Sequence, residues 1–188
     1  MTKSKYKKGD IISLIKEAQS NDIKALEELI RRVQKHIYAL FSHLTQKKED
    51  ILDLTQETLL KMAKSIHQLK EPKNFKQWLN QIVTNQYYDF IRKKNDNLVE
   101  LNEKALDEIK DKIGCEPGEK CLFAEIESLI KTALFTLPKD LRITLVLREY
   151  EGLSYQDIAK ITNTALGTVK SRISRARLKL QEELKEFI

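Results

Sequence analysis

Between Leu166 and Leu180 the chain carries five basic side chains, Lys170, Arg172, Arg175, Arg177 and Lys179, and no acidic one. Like charges at helical spacing repel, and a solvated helix face ordinarily mixes both signs. A run of this kind is tolerated where a polyanion supplies the missing negative charge, and nucleic-acid phosphates do so. A second charged group is Asp50, Asp53 and Glu57, where Asp53 and Glu57 lie four residues apart on one helix face. It reads either as an acidic helix start favoured by the macrodipole or as a surface for a basic partner. A third set is Trp78, Ile82, Asn85, Asp89 and Arg92, one helical stripe mixing aromatic, amide and charge. That mixture suits unstacked bases, and equally a core tryptophan beside an Asp–Arg pair.

Other chemistries find no constellation. His36, His43 and His67 with Cys115 and Cys121 are the soft-metal candidates, but the cysteines are six apart with no histidine following at finger-like spacing. There is no Gly-x-x-x-x-Gly-Lys-Ser/Thr, no Gly-x-Ser-x-Gly and no His-Glu-x-x-His. The sequence therefore predicts no catalytic residue, no metal and no cofactor.

The elements that carry these groups are helical. Five glycines and three prolines in 188 residues argue against a turn-rich β architecture. Apolar residues recur at i, i+3, i+4, i+7 over 22–44, 50–66 and 75–92, with a loop around Pro72. A polar, glycine-containing stretch follows, with a thin apolar stripe over 98–113 that permits one short helix. Helical periodicity resumes at Phe123, and Pro138 suits the first position of a further helix. The fold class expected is all-α: two small helical domains joined by a flexible linker. The divisions are 1–21 (basic segment and short helix), 22–95 (first domain), 96–125 (linker) and 126–188 (second domain).

Lys plus Arg total 34 against 28 Asp plus Glu, a formal charge of +6, which is consistent with a polyanionic partner. No stretch approaches the roughly 18 apolar residues of a membrane helix, and no signal-peptide core follows the basic start. With only two cysteines, the expected location is a reducing cytoplasm without membrane insertion.

Ser154-Tyr-Gln-Asp157 has the form of a capping box opening a short helix, Tyr155 to Ile161. Thr162-Asn-Thr-Ala165 breaks it, and a longer helix runs from Leu166 onward, which makes a helix–turn–helix. On that longer helix Val169, Ile173, Ala176 and Leu180 form one narrow arc. Lys170, Ser171, Ser174 and Arg175 point away from it, and Arg172, Arg177 and Lys179 flank it. Leu178 also points outward.

Leu137-Pro138, Arg142, Glu151-Gly-Leu-Ser-Tyr155, Asp157-Ile-Ala159, Gly167-Thr-Val-Lys-Ser-Arg172 and Arg175-Ala-Arg177 resemble region 4 of a sigma-70 family factor. Asp53-Leu-Thr-Gln-Glu57 and the series Trp78, Leu79, Ile82, Asn85, Asp89, Arg92 resemble region 2. The resemblance covers about 22–95 and 123–184 in the family's order. Having neither a separate region 3 nor an acidic region 1.1, the chain is similar to the short extracytoplasmic-function (ECF) class.

The resemblance implies a promoter-recognition subunit of RNA polymerase, not an enzyme in itself. Asp53, Leu54, Thr55, Gln56 and Glu57 would meet the clamp coiled coil of the largest core subunit, and the second domain its flap region. Trp78 and Asn85, with Tyr88 and Arg92, would handle the non-template single strand at the −10 element. The loop 67–77 would capture a flipped base. Thr168, Lys170, Ser171, Arg172 and Arg175 would enter the major groove of the double-stranded −35 element. Members of the class are commonly held inactive by an anti-sigma factor. The alternative is a stand-alone dimeric helix–turn–helix transcriptional regulator, since that motif also occurs in regulators.

A lone helix–turn–helix reads few base pairs. Two modules held on one polymerase overcome this, because the second contact becomes intramolecular. A 30-residue linker has an r.m.s. span of about 30 Å and an extended limit of roughly 100 Å, against about 60 Å of duplex between the two elements. The chain has no P-loop for ATP, and binding alone is a sufficient source for strand opening. Extruding a base costs a few kcal/mol, and stacking on an aromatic ring returns about 1–3 kcal/mol.

Overall fold

A computed structural model of the chain describes residues 11–97 and 119–185. The expected features over 98–113, the basic start and Cys115 lie outside the described residues. Eight α-helices and two short 3₁₀ turns make up the described residues' regular structure. In the first module these are α1 (Ile11–Gln19), α2 (Ile23–Ser42), α3 (Lys48–Ser65) and α4 (Phe75–Asn97). In the second they are α5 (Glu119–Thr136), α6 (Lys139–Glu149), α7 (Tyr155–Ile161) and α8 (Leu166–Leu184).

The helix starts follow from sequence chemistry. Asp22 caps α2 by accepting from the backbone N–H of Lys24 and Ala25, after Asn21 has turned the chain at φ 64°. Ser154 caps α7 by accepting from Asp157 N–H, and its own hydroxyl donates to Asp157 Oδ2 at 2.6 Å. Pro138 departs slightly from expectation. It is the cap before α6, at φ −51° and ψ 143°, rather than the first helical residue. Its extended ψ lets its carbonyl accept from Leu141 and Arg142 while the helix begins at Lys139.

α1 to α4 enclose one apolar interior, including Leu14, Ile15, Leu29, Phe41, Met62 and Val83. In the second module Leu137, Ile143, Leu147, Ile158, Val169 and Ile173 are buried together, on the arcs the period of 3.6 places inward. Arg142 fastens the end of α5. It donates to the carbonyls of Leu134, Phe135 and Leu137, which helix termination leaves without intrahelical partners, and its guanidinium lies 4.7 Å from the Phe135 ring centre. Its Nη1 crosses to donate to Leu44 O of the first module at 3.0 Å. Among the described residues no helix is long and apolar enough to cross a membrane.

Candidate nucleic-acid interface

Three surfaces hold the residues singled out by the sequence. On α8, Lys170 and Arg175 are exposed, and among the described residues no carboxylate pairs with either. Arg175 instead leans along its own helix onto the carbonyl and hydroxyl of Ser171, at 3.3 and 3.2 Å. Ser171 and Thr168 are half-buried one turn apart, the Ser171 hydroxyl donating to Thr168 O. Asn163, at φ 50°, makes the left-handed turn that aims α8 away from α7.

Arg172 differs from the other groove candidates. Its side chain is only 18% exposed and is paired with Asp140 of α6 at 3.0 Å. Arg177 is paired in the same way with Glu149 at the other end of α6. The cation run over 166–180, which contains no carboxylate of its own, thus receives two from the helix packed beneath it. Leu178 is 57% exposed, as its position on the helix wheel required.

The second surface lies on α3 and α4. Asp53, Gln56 and Glu57 face solvent, whereas Leu54 and Thr55 are buried, Thr55 donating back to Ile51 O at 2.7 Å. Only the exposed three of these five residues therefore offer an open contact surface. Across the groove from them, Lys94 pairs with Asp50 at 3.4 Å and Gln86 donates to Glu57 at 3.0 Å, while Asp53 has no such partner among the described residues.

The third surface is the mixed stripe of α4. Ile82 leaves the stripe for the core. Trp78 is half-buried, tilted against Phe75 with ring centres 5.9 Å apart. Asn85 and Arg92 are exposed, and Arg92 lies 3.4 Å from Asp89. Tyr88 is half-buried beside Asp140 and Arg172 of the second module. Burial raises its hydroxyl pKa, Asp140 adds to the rise and Arg172 opposes it. Tyr87, on the inner face, is pushed up to about 12, chiefly by burial. Asn85, Tyr88 and Arg92 line one cleft of about 600 Å³, whose opposite wall is Ile161, Thr162 and Asn163.

One group escaped sequence reasoning. Glu151, read only as part of a motif, is a buried carboxylate held by His36, Lys76 and Asn80 of the first module. Burial works against its ionisation. The bonds to His36 and Asn80 and the charge of Lys76 outweigh that, leaving its pKa below the ordinary carboxylate value. A lone Glu after a helix carries no sequence signal for a contact of this range.

Comparison with known proteins separates the two modules. Residues 29–96 match the family Sigma-70 region 2, and residues 128–180 match Sigma-70, region 4. The chain is 30% identical over 187 residues to the ECF RNA polymerase sigma-E factor of Haemophilus influenzae, covering 94% of this chain and 96% of that one. It is 34% identical over 161 residues to the ECF RNA polymerase sigma factor SigE of Mycolicibacterium smegmatis, spanning 84% of this chain but 61% of that relative's length. Among solved structures, the sigma factor RpoE of Bartonella quintana, in complex with the anti-sigma factor NepR, is 30% identical. It superposes with a TM-score of 0.69 over 87% of this chain and 98% of that chain.

Proposed function

The chain belongs to the sigma-70 family, in the extracytoplasmic-function class of RNA polymerase sigma factors, and from that premise we propose how its own residues carry the work. It binds core RNA polymerase and directs promoter recognition, melting and the start of transcription at a specific set of promoters. The division of labour proposed is 22–95 for core polymerase and the −10 element, and 126–188 for the −35 element, joined through 96–125.

On the polymerase side, Asp53, Gln56 and Glu57 supply a carboxylate-rich face for the basic clamp coiled coil, and buried Leu54 and Thr55 hold that turn of α3 in place. At the −35 element, Lys170 and Arg175 reach phosphates, Thr168 and Ser171 sit at the start of α8 where base edges are met, and Arg172 joins them once it leaves Asp140. At the −10 element, Trp78 offers an aromatic face, Asn85 an amide for a base edge, Tyr88 a second ring and Arg92 a backbone cation. No step calls for a catalytic group, and the cytoplasm is the place where these partners are met. An anti-sigma factor is proposed as the natural restraint, by analogy with the Bartonella quintana complex.

The single observation that carries this reading is that regions 2 and 4 match in one chain and in the family's order. A stand-alone dimeric regulator has no use for the region 2 match at residues 29–96. The decisive experiment is run-off transcription with core polymerase. A transcript that depends on adding this protein supports the proposal. A dimer protecting a palindrome, with no affinity for core polymerase, would replace it with the regulator.

A further inference from the structure

One of the charged groups that line the cleft beside α4 comes from a different helix. Lys61, on α3, reaches the wall formed by Asn85, Tyr88 and Arg92 of α4. Its ammonium donates to Gln86 Oε1 at 3.2 Å, and Gln86 Nε2 donates in turn to Glu57 Oε2 at 3.0 Å. The amide thus bridges an acid and a base of α3, its oxygen toward the cation and its nitrogen toward the anion. That orientation is the one that satisfies both. Glu57 and Lys61 are four residues apart, a spacing that allows direct pairing, yet Gln86 intervenes.

Lys61 and Arg92, both cations of this cleft, differ in how they are answered. Arg92 lies 3.4 Å from Asp89, so part of its charge is met within the protein. Lys61 is exposed and, among the described residues, pairs with no carboxylate; its bond to a neutral amide leaves two of its three N–H donors for a ligand. A cation in the last turn of a helix needs no ligand, because the macrodipole favours it there. That accounts for Lys64, in the last turn of α3, but the helix runs to Ser65 and Lys61 precedes that turn. Nor is stability an adequate reason. Holding a lysine stem still costs rotamer entropy that a single exposed hydrogen bond scarcely returns.

An amide, a phenol ring and two cations from different helices match what a nucleotide presents: a base edge, a π face and an anionic backbone. We propose that Lys61 is a phosphate contact for the non-template single strand, and that Gln86 is its positioning residue, holding the ammonium at the cleft while Glu57 anchors the amide. That this strand lies along α4 rests on the function proposed above. α3 then has two duties: Asp53 and Gln56 face polymerase, and one to two turns later Lys61 faces DNA. Glu57 belongs to both, since the carboxylate offered to polymerase also fixes the amide that aims the cation.

Fluorescence anisotropy on the holoenzyme tests this. The probe is a labelled oligonucleotide carrying the non-template −10 strand of a promoter that the holoenzyme transcribes. Lys61→Ala should flatten the slope of log K against log salt by about 0.7, the value for one single-strand phosphate, and weaken binding about fivefold at about 0.1 M salt. Lys61→Met, which keeps the stem without the charge, should match it, and Lys61→Arg should keep the parent's slope and affinity. Binding of −35 duplex should keep the parent's slope in all three. Gln86→Leu should weaken strand binding by the parent chain and add nothing to Lys61→Ala, because a positioning residue acts only through the group it positions. An unchanged slope in Lys61→Ala overturns the assignment, as does a loss shared by Lys61→Arg or by the −35 duplex. Additive losses in the double variant remove Gln86 from its role. If the parent protein neither joins core polymerase nor binds the strand, the functional reading falls and takes this assignment with it. If it does both and the Lys61 variants bind as the parent does, this assignment falls alone.

Discussion

Asn80 and Glu151, 71 residues apart in sequence, are joined Nδ2 to Oε2 at 3.0 Å, and both are buried. An amide donor facing a carboxylate keeps its strength only while the acceptor is ionised. The pH dependence of stability follows. The folded-state pKa of Glu151 lies below its ordinary 4.5, so its contribution is complete above that value and is lost as pH falls through the folded value. Thermal melts from pH 7 to pH 3 should show the parent chain losing more stability on acidification than Glu151→Gln, which has no proton to gain. Parallel curves would refute this.

Arg142 answers four backbone carbonyls, three at the end of α5 and one from the first module. Arg142→Ala leaves them without that donor and removes the stack on Phe135. A loss of about 2–4 kcal/mol in urea unfolding is expected. Arg142→Lys should recover only part of it, because an ammonium lacks the planar fork.

Lys170→Ala and Arg175→Ala should each weaken −35 duplex binding and flatten its dependence on salt by about one slope unit, if each cation meets one phosphate. Asp140→Asn should act in the opposite sense, strengthening duplex binding, because it releases Arg172 from its pair at 3.0 Å. Fluorescence anisotropy titrations over a range of salt distinguish the two directions.

Trp78→Ala should leave −35 duplex binding of the holoenzyme within about twofold while cutting open-complex formation, measured by permanganate footprinting, about tenfold, as loss of one stacking partner worth 1–3 kcal/mol requires. Because Trp78 also packs on Phe75, Trp78→Phe serves as the control and should retain most of the opening activity. Equal loss in both assays would refute a role in melting.

Gly152, at φ 66°, has nothing within 4 Å of where a Cβ would stand. Gly152→Ala should therefore destabilise by about 1 kcal/mol through backbone strain alone. Gly152→Asn, which tolerates that conformation, should cost less. Chemical denaturation of the two variants gives the ordering directly.

How far the sequence reached varies with the kind of contact. The cap at Ser154, and the inward arc Val169, Ile173 and Ala176, are local consequences of residue type and the 3.6-residue period, and each stands where expected. Ile82 falls on the mixed stripe by period but is buried, because a stripe of five residues spans two neighbours with different surroundings. The partners of Arg172 and Arg177 come from α6, and those of Glu151 from α2 and α4. Such pairings depend on how elements pack, which a helix read singly does not contain.

Asp140 and Glu149 have a consequence for selectivity. Held against Arg172 and Arg177, they act as counterions tethered to the protein itself. Heparin or ribosomal RNA, which offers charge without shape, must compete with anions that never diffuse away. A promoter duplex of the right contour can replace them at several points at once. If α8 reads the promoter as proposed, it meets the crowd of cellular polyanions partly neutralised in advance, and its full charge is released only by a surface that fits.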